Sequence, residues 1–135
     1  MLIQKQSKLK IFGAAMILAL ILVCGTAAFA ATTASPSSLK FSGQTVGTTS
    51  APMTVTLEND QPGAMGIAQI VTSGDFAIDP STTCPSNGRM IKSGKSCTIA
   101  VTFAPSATGA RTGSLVVHGG TAIDPVTVSL SGNGT

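Results

Sequence analysis

Tryptophan and tyrosine are missing altogether, and the 135 residues hold one histidine, five phenylalanines and only 10% charged positions. Each scarcity excludes a class of function. With no indole or phenol ring, the chain lacks the aromatic platform on which unpaired bases stack. The formal charge of +3 is carried by Lys5, Lys8 and Lys10. From Ala31 onward, Lys40, Arg89, Lys92, Lys95 and Arg111 balance Glu58, Asp60, Asp75, Asp79 and Asp124. No basic patch remains to release counterions from phosphates, so no nucleic-acid partner is expected. Beyond residue 30, Gly, Pro and Thr recur too often for an amphipathic helix.

The N-terminus has the layout of a secretory signal. A lysine-bearing start is followed by an apolar run, Ile11 to Val23, and by small residues ending in Ala28-Phe29-Ala30. Residues 1–30 are therefore read as a signal peptide cleaved between Ala30 and Ala31. Two alternatives stay open. The stretch Ile11 to Ala31 approaches the roughly 20 residues that span a bilayer, so an uncleaved segment would act as a membrane anchor. Lipidation at Cys24 is the other, although Val23 is bulky where a lipoprotein signal wants a small residue.

What remains after cleavage, about 105 residues, suits one domain with one core. Its two cysteines, Cys84 and Cys97, form an even pair in an exported chain and are expected to be disulfide-bonded. Residues 31–36, within the small polar run Ala31 to Ser38 that Pro36 breaks, read as a flexible tether, and residues 37–135 as the domain.

Within that domain the hydrophobic period is two. Met53, Val55 and Leu57 alternate with Thr54 and Thr56; Cys97, Ile99, Val101 and Phe103 with Thr98, Ala100 and Thr102; Val126, Val128 and Leu130 with Thr127 and Ser129. Such strands have one buried and one wet face. Shorter candidates are Leu39–Phe41, Gly66–Val71, Phe76–Ile78 and Ser114–His118, separated by Gly/Pro/Asn/Ser turn signals. The expected fold is all-β: an immunoglobulin-like antiparallel β-sandwich of about seven strands. Antibody-type domains bridge facing sheets beneath a tryptophan. Here Cys84 lies in a Pro/Asn/Gly-rich loop and Cys97 opens a strand, so the bridge should pin a loop to the sandwich edge.

An ordered set of motifs resembles bacterial choice-of-anchor D repeats: Leu39-Lys40-Phe41-Ser42-Gly43-Gln44-Thr45-Val46-Gly47, Val55-Thr56-Leu57-Glu58-Asn59, Gly74-Asp75-Phe76, then Cys84. The series continues through Ser93-Gly94-Lys95-Ser96-Cys97 to Phe103-Ala104-Pro105, Gly113-Ser114-Leu115 and Val128-Ser129-Leu130-Ser131-Gly132. These repeats are similar to ASH and Hydin-like domains and, more distantly, to major sperm protein and periplasmic pilus-chaperone sandwiches. The resemblance implies an adhesive or scaffolding module with no reaction of its own. Such repeats usually stand in tandem, and one copy is present here; a single-module protein and a fragment of an array both fit.

Motifs suggestive of chemistry weaken on inspection. Gly88 to Ser96 (GRMIKSGKS) has five residues before Gly-Lys-Ser where a phosphate loop needs four, and a strand follows instead of a helix. Any Ser-His-Asp or metal site must use His118, with Asp124 as its nearest downstream carboxylate, yet no Gly-x-Ser-x-Gly elbow accompanies them. Glu58, Asn59 and Asp60 make an acidic turn without the spaced carboxylates that calcium requires. Asn133-Gly134-Thr135 matches the glycosylation triplet by letters alone. No catalytic, metal or cofactor residues are assigned, and no cofactor is expected. The leading expectation is an exported, non-enzymatic interaction or structural module of the cell envelope or exterior, binding a protein or cell-surface component; membrane contact would come only through an uncleaved signal. A periplasmic chaperone-like factor that adds or accepts a β-strand is the alternative. A small hydrolase using His118 is the remote one.

Overall fold

Apolar–hydroxyl alternation becomes strand structure in the computed structural model, which describes residues 32–120 and 125–135. In chain order the strands are β1 (Thr32–Ser35), β2 (Ser38–Gln44), β3 (Met53–Asn59), β4 (Met65–Thr72) and β5 (Phe76–Ile78), followed by β6 (Met90–Ile91), β7 (Ser96–Phe103), β8 (Gly109–Gly119) and β9 (Val126–Gly134). They form two sheets, ordered β1-β3-β7-β5 and β2-β9-β8-β4-β6. Every ladder is antiparallel except that of β2 with β9, which is parallel. This is the immunoglobulin-like sandwich that the sequence pattern requires.

Alternate side chains meet between the sheets. Val55 and Leu57 of β3, Ile99, Val101 and Phe103 of β7, Leu115 of β8 and Val128 of β9 are fully buried. Each such side chain contributes about 1.5–3 kcal/mol relative to leaving it in water. At one end, Phe76 and Phe103 stack with ring centroids 4.9 Å apart, and Phe41 lies 5.7 Å from each. Two glycines make room for these rings. A Cβ on Gly132 would meet Phe103 Cε1 at 2.5 Å, and one on Gly113 would come within 2.7 Å of Phe76 Cδ2.

The structure corrects the reading of residues 31–36 as a tether. Thr32–Ser35 are a strand, paired with β3 from Thr32↔Asn59 to Ser35↔Thr56. The pairing is main-chain, so a run of small polar residues forms it without an apolar stripe; Ala34 packs against the core, and Thr32 Oγ1 donates to buried Met65 Sδ at 3.0 Å. The cis Ser35–Pro36 bond separates β1 in one sheet from β2 in the other. A second departure concerns β7, whose supposedly wet positions Ala100 and Thr102 are 1% and 8% exposed. After β5 the chain stays bonded to β7, with Asp79 and Thr83 N–H groups donating to Ala100 O and Thr98 O at 2.8 Å.

Candidate functional site

Cys84 and Cys97 are joined by a disulfide with a Cα–Cα distance of 4.8 Å. The bridge ties the segment after β5 to the start of β7, the loop-pinning position expected of it. Beside it lies a residue whose role the sequence did not reveal. Asn59 is 0% exposed, and its Nδ2 donates to Gly63 O at 2.8 Å and Ile91 O at 2.9 Å. Its Oδ1 accepts from Gln61 N–H at 3.1 Å. The main chain of Asn59 also accepts from Gly94 N–H and donates to Lys95 O. The carboxamide thus ties the β3–β4 turn to β6, and the main chain of the same residue ties in the β6–β7 turn. The acidic-turn cation reading accordingly loses its middle member, while Asp60 accepts from Thr33 Oγ1 at 3.3 Å.

The phosphate-loop-like stretch resolves into the β6–β7 connection. Lys95 N–H donates to Lys92 O across a tight turn and Gly94 sits at φ 68°. With the Gly94 and Lys95 amides bonded within the protein, no nest of free N–H groups remains there for an anion. His118 is exposed on β8, opposite Gln69 of β4. Asp124, the Ala30–Ala31 junction and Cys24 lie outside the described residues. Asn133 is exposed on β9, while Gly134 is buried. Among the described residues, no group of three His, Cys, Asp or Glu side chains could hold a metal ion.

Two surface features do converge. The first is a row of serines across the larger sheet. Ser114 faces Ser129, Ser129 faces Ser38, and Ser73 Oγ lies 3.1 Å from Ser114 Oγ. The next row pairs Thr112 with Ser131 and Ser131 with Lys40. Register alone assembles this hydroxyl face from four separate parts of the chain.

The second feature is an edge left unpaired among the described residues. β6 covers β4 only at Met65 and Gly66. Ser73 N–H donates to Ser114 O at 2.9 Å, so by strand alternation the main chain of Val71 also faces β8. The N–H and C=O groups of Ile70 and Thr72 therefore point away from the sheet, as do those of Phe76 and Ile78 on β5. Between these edges runs a groove of about 290 Å³ lined by residues that include Ile70, Ile78, Asp79, Pro80 and Thr82. Asp79 accepts from the hydroxyl and the N–H of Ser81, which hold its carboxyl below the usual carboxylate range.

No family model and no curated protein matches the chain. Solved structures do. The VesB protease of Vibrio cholerae aligns with a TM-score of 0.57 at 13% identity, over 76% of this chain and 31% of the protease. The secreted serine protease VesC of the same organism gives 0.53 at 14%, over 70% of this chain and 21% of that one. An ASH/PapD-like domain of human CEP192, PapD-like domain 7, gives 0.52 at 15%, over 79% of this chain and 87% of that domain. The chain thus spans less than a third of either protease and most of the human domain. These likenesses show the fold, an immunoglobulin-like sandwich similar to that of an ASH/PapD-like domain.

Proposed function

We propose that this protein is an exported, non-enzymatic interaction or structural module of choice-of-anchor D type, working at the cell envelope or exterior and binding a protein or surface component. The observation that carries this reading is where the polar groups lie. Among the described residues they are spread across a sheet face, as the row Ser73–Ser114–Ser129–Ser38, and do not converge around His118. The Cys84–Cys97 disulfide supports an oxidising compartment, and the similarity to nearly the whole of one ASH/PapD-like domain supports a module that acts through its surface. The unpaired edge of β4 favours strand addition over catalysis as the way such a module engages others.

Intact mass of the native protein in membrane, periplasmic and medium fractions, before and after reduction, tests the reading. A species beginning at Ala31 that gains two hydrogens on reduction is expected. A species retaining residues 1–30 would replace export with anchoring. A hydrolase activity abolished by His118→Ala would overturn the non-enzymatic assignment.

A further inference from the structure

The end of the sandwich at which β1 begins differs from the rest of the surface. Thr32 pairs with Asn59, and its Oγ1 donates to Met65 Sδ, so the chain enters the fold beside the β3–β4 and β6–β7 turns. The apolar stretch Ile11 to Ala31 immediately precedes Thr32 in the sequence. One residue of extended chain spans at most about 3.6 Å. Whenever that stretch sits in a bilayer, therefore, no spacer separates this end of the sandwich from the lipid headgroups. Here too stands Met90, 64% exposed and the most exposed large apolar side chain among the described residues. Strand alternation sends its neighbour Ile91 inward and Met90 outward, with its methyl group over Gly66. Arg89, Lys92 and Lys95 flank it; all three are exposed, and none is in an ion pair among the described residues.

We propose that this end is a membrane-docking surface: Arg89, Lys92 and Lys95 settle among the headgroups of an anionic phospholipid bilayer, and Met90 dips to their acyl boundary. The inference rests on export, which brings the domain to a bilayer surface, and deepens that reading by naming phospholipid as the surface component. The loop is held ready for the contact. Its base is closed by Cys84–Cys97, the main chain of Asn59 bonds to Gly94 and Lys95, and Ser93 Oγ donates to Gln61 O at 2.5 Å. Little ordering is left to be done on binding. Two carboxylates share this end without pairing to the loop cations. Asp60 accepts from Thr33 Oγ1, and Glu58 lies opposite Ser96 in the β3–β7 ladder, so the protruding loop itself carries only positive charge. Each cation held near an anionic leaflet adds attraction, and an apolar tip among them is what an interfacial contact buries. An acidic polypeptide would answer the cations but not the apolar stretch that leads directly into this end.

Vesicles of phosphatidylglycerol and phosphatidylethanolamine, with a paramagnetic lanthanide chelate on their headgroups, test it. The disulfide-bonded native protein is added to them or, where it retains residues 1–30, reconstituted in them. Attenuation of amide signals is expected at residues 89–95 and not at 45–48 or 105–108, at the opposite end of the sandwich. Lys92→Glu combined with Lys95→Glu should weaken the attenuation at least about tenfold, as should phosphatidylcholine in place of the anionic lipid. Met90→Ser should weaken it about fivefold. Lys40→Glu, on the outer face of the larger sheet, should leave it unchanged. Attenuation that is indifferent to the double charge reversal, or equal on phosphatidylcholine, overturns the proposal. So does a protein whose signals the vesicles leave unchanged, including one that binds polyglutamate instead. The export reading, tested separately by intact mass, would survive any of these results.

Discussion

At one end of the sandwich Phe41, Phe76 and Phe103 pack into the space left by Gly113 and Gly132. At the other, a disulfide pins the segment after β5 to β7, and Asn59 holds the β3–β4 turn and β6 through its carboxamide and the β6–β7 turn through its main chain. The first end is fixed by shape, the second by a few directed bonds between segments too short and too polar to pack on their own. Packing of the first kind is insensitive to redox conditions. The second kind depends on an intact bridge and on one amide.

Substitutions at the two ends should sharpen this contrast. The largest effect is expected at the aromatic end, where Phe103→Ala opens a cavity in a fully buried site and should lower unfolding free energy by about 3–5 kcal/mol. Denaturant titration measures it, and a loss under ~1 kcal/mol would mean that shape packing is not what holds that end. Reducing Cys84–Cys97 should cost about 3 kcal/mol in the same titration, from the chain entropy that closing the loop removes. Next comes Asn59→Ala, which strips donors from Gly63 O and Ile91 O and an acceptor from Gln61 N–H. Leaving such groups unpaired costs about 1–3 kcal/mol, and faster amide exchange in residues 59–65 and 90–95 should report it.

The smallest effect is electrostatic and lies at the aromatic end. Asp75 is held below its ordinary value of 3.8, first by the Arg111 guanidinium and then by the Ser106 hydroxyl. A carboxyl depressed in the folded state stabilises it above the unfolded pKa, and that contribution disappears as pH falls through the folded pKa. Thermal midpoints should therefore drop below about pH 3.8, and Asp75→Asn should flatten the part of that acid slope due to this residue. An unchanged slope in the variant would show that the pair does not couple to folding.

The same contrast explains what could be read from sequence. β3, β7 and β9 are legible in Met53–Leu57, Cys97–Phe103 and Val126–Leu130 because burial on one face imposes a period of two. Phe76–Ile78 coincides with β5, although only Phe76 of its three residues is buried. β8 begins at Gly109 instead of Ser114, because Arg111, Thr112 and Gly113 pair by main chain without an apolar signal. β1 and β6 are similarly silent, made of backbone pairing and held by neighbours. Asn59 sits among acidic residues in the sequence, and nothing local distinguishes a buried carboxamide from a wet one. The serine row and the unpaired β4 edge are properties of register and sheet order, which bring together residues as distant as Ser38 and Ser129.

The parallel pairing of β2 with β9 has a mechanical consequence. Both strands run in the same direction, from Ser38↔Ser129 to Gln44↔Gly134. Tension drawn between the start of β2 and the end of β9 lies along the strands and across their hydrogen bonds, so the bonds are loaded together in shear and cannot be unzipped one at a time. Held by those two points, the sandwich resists extension until the whole β2–β9 ladder slips at once.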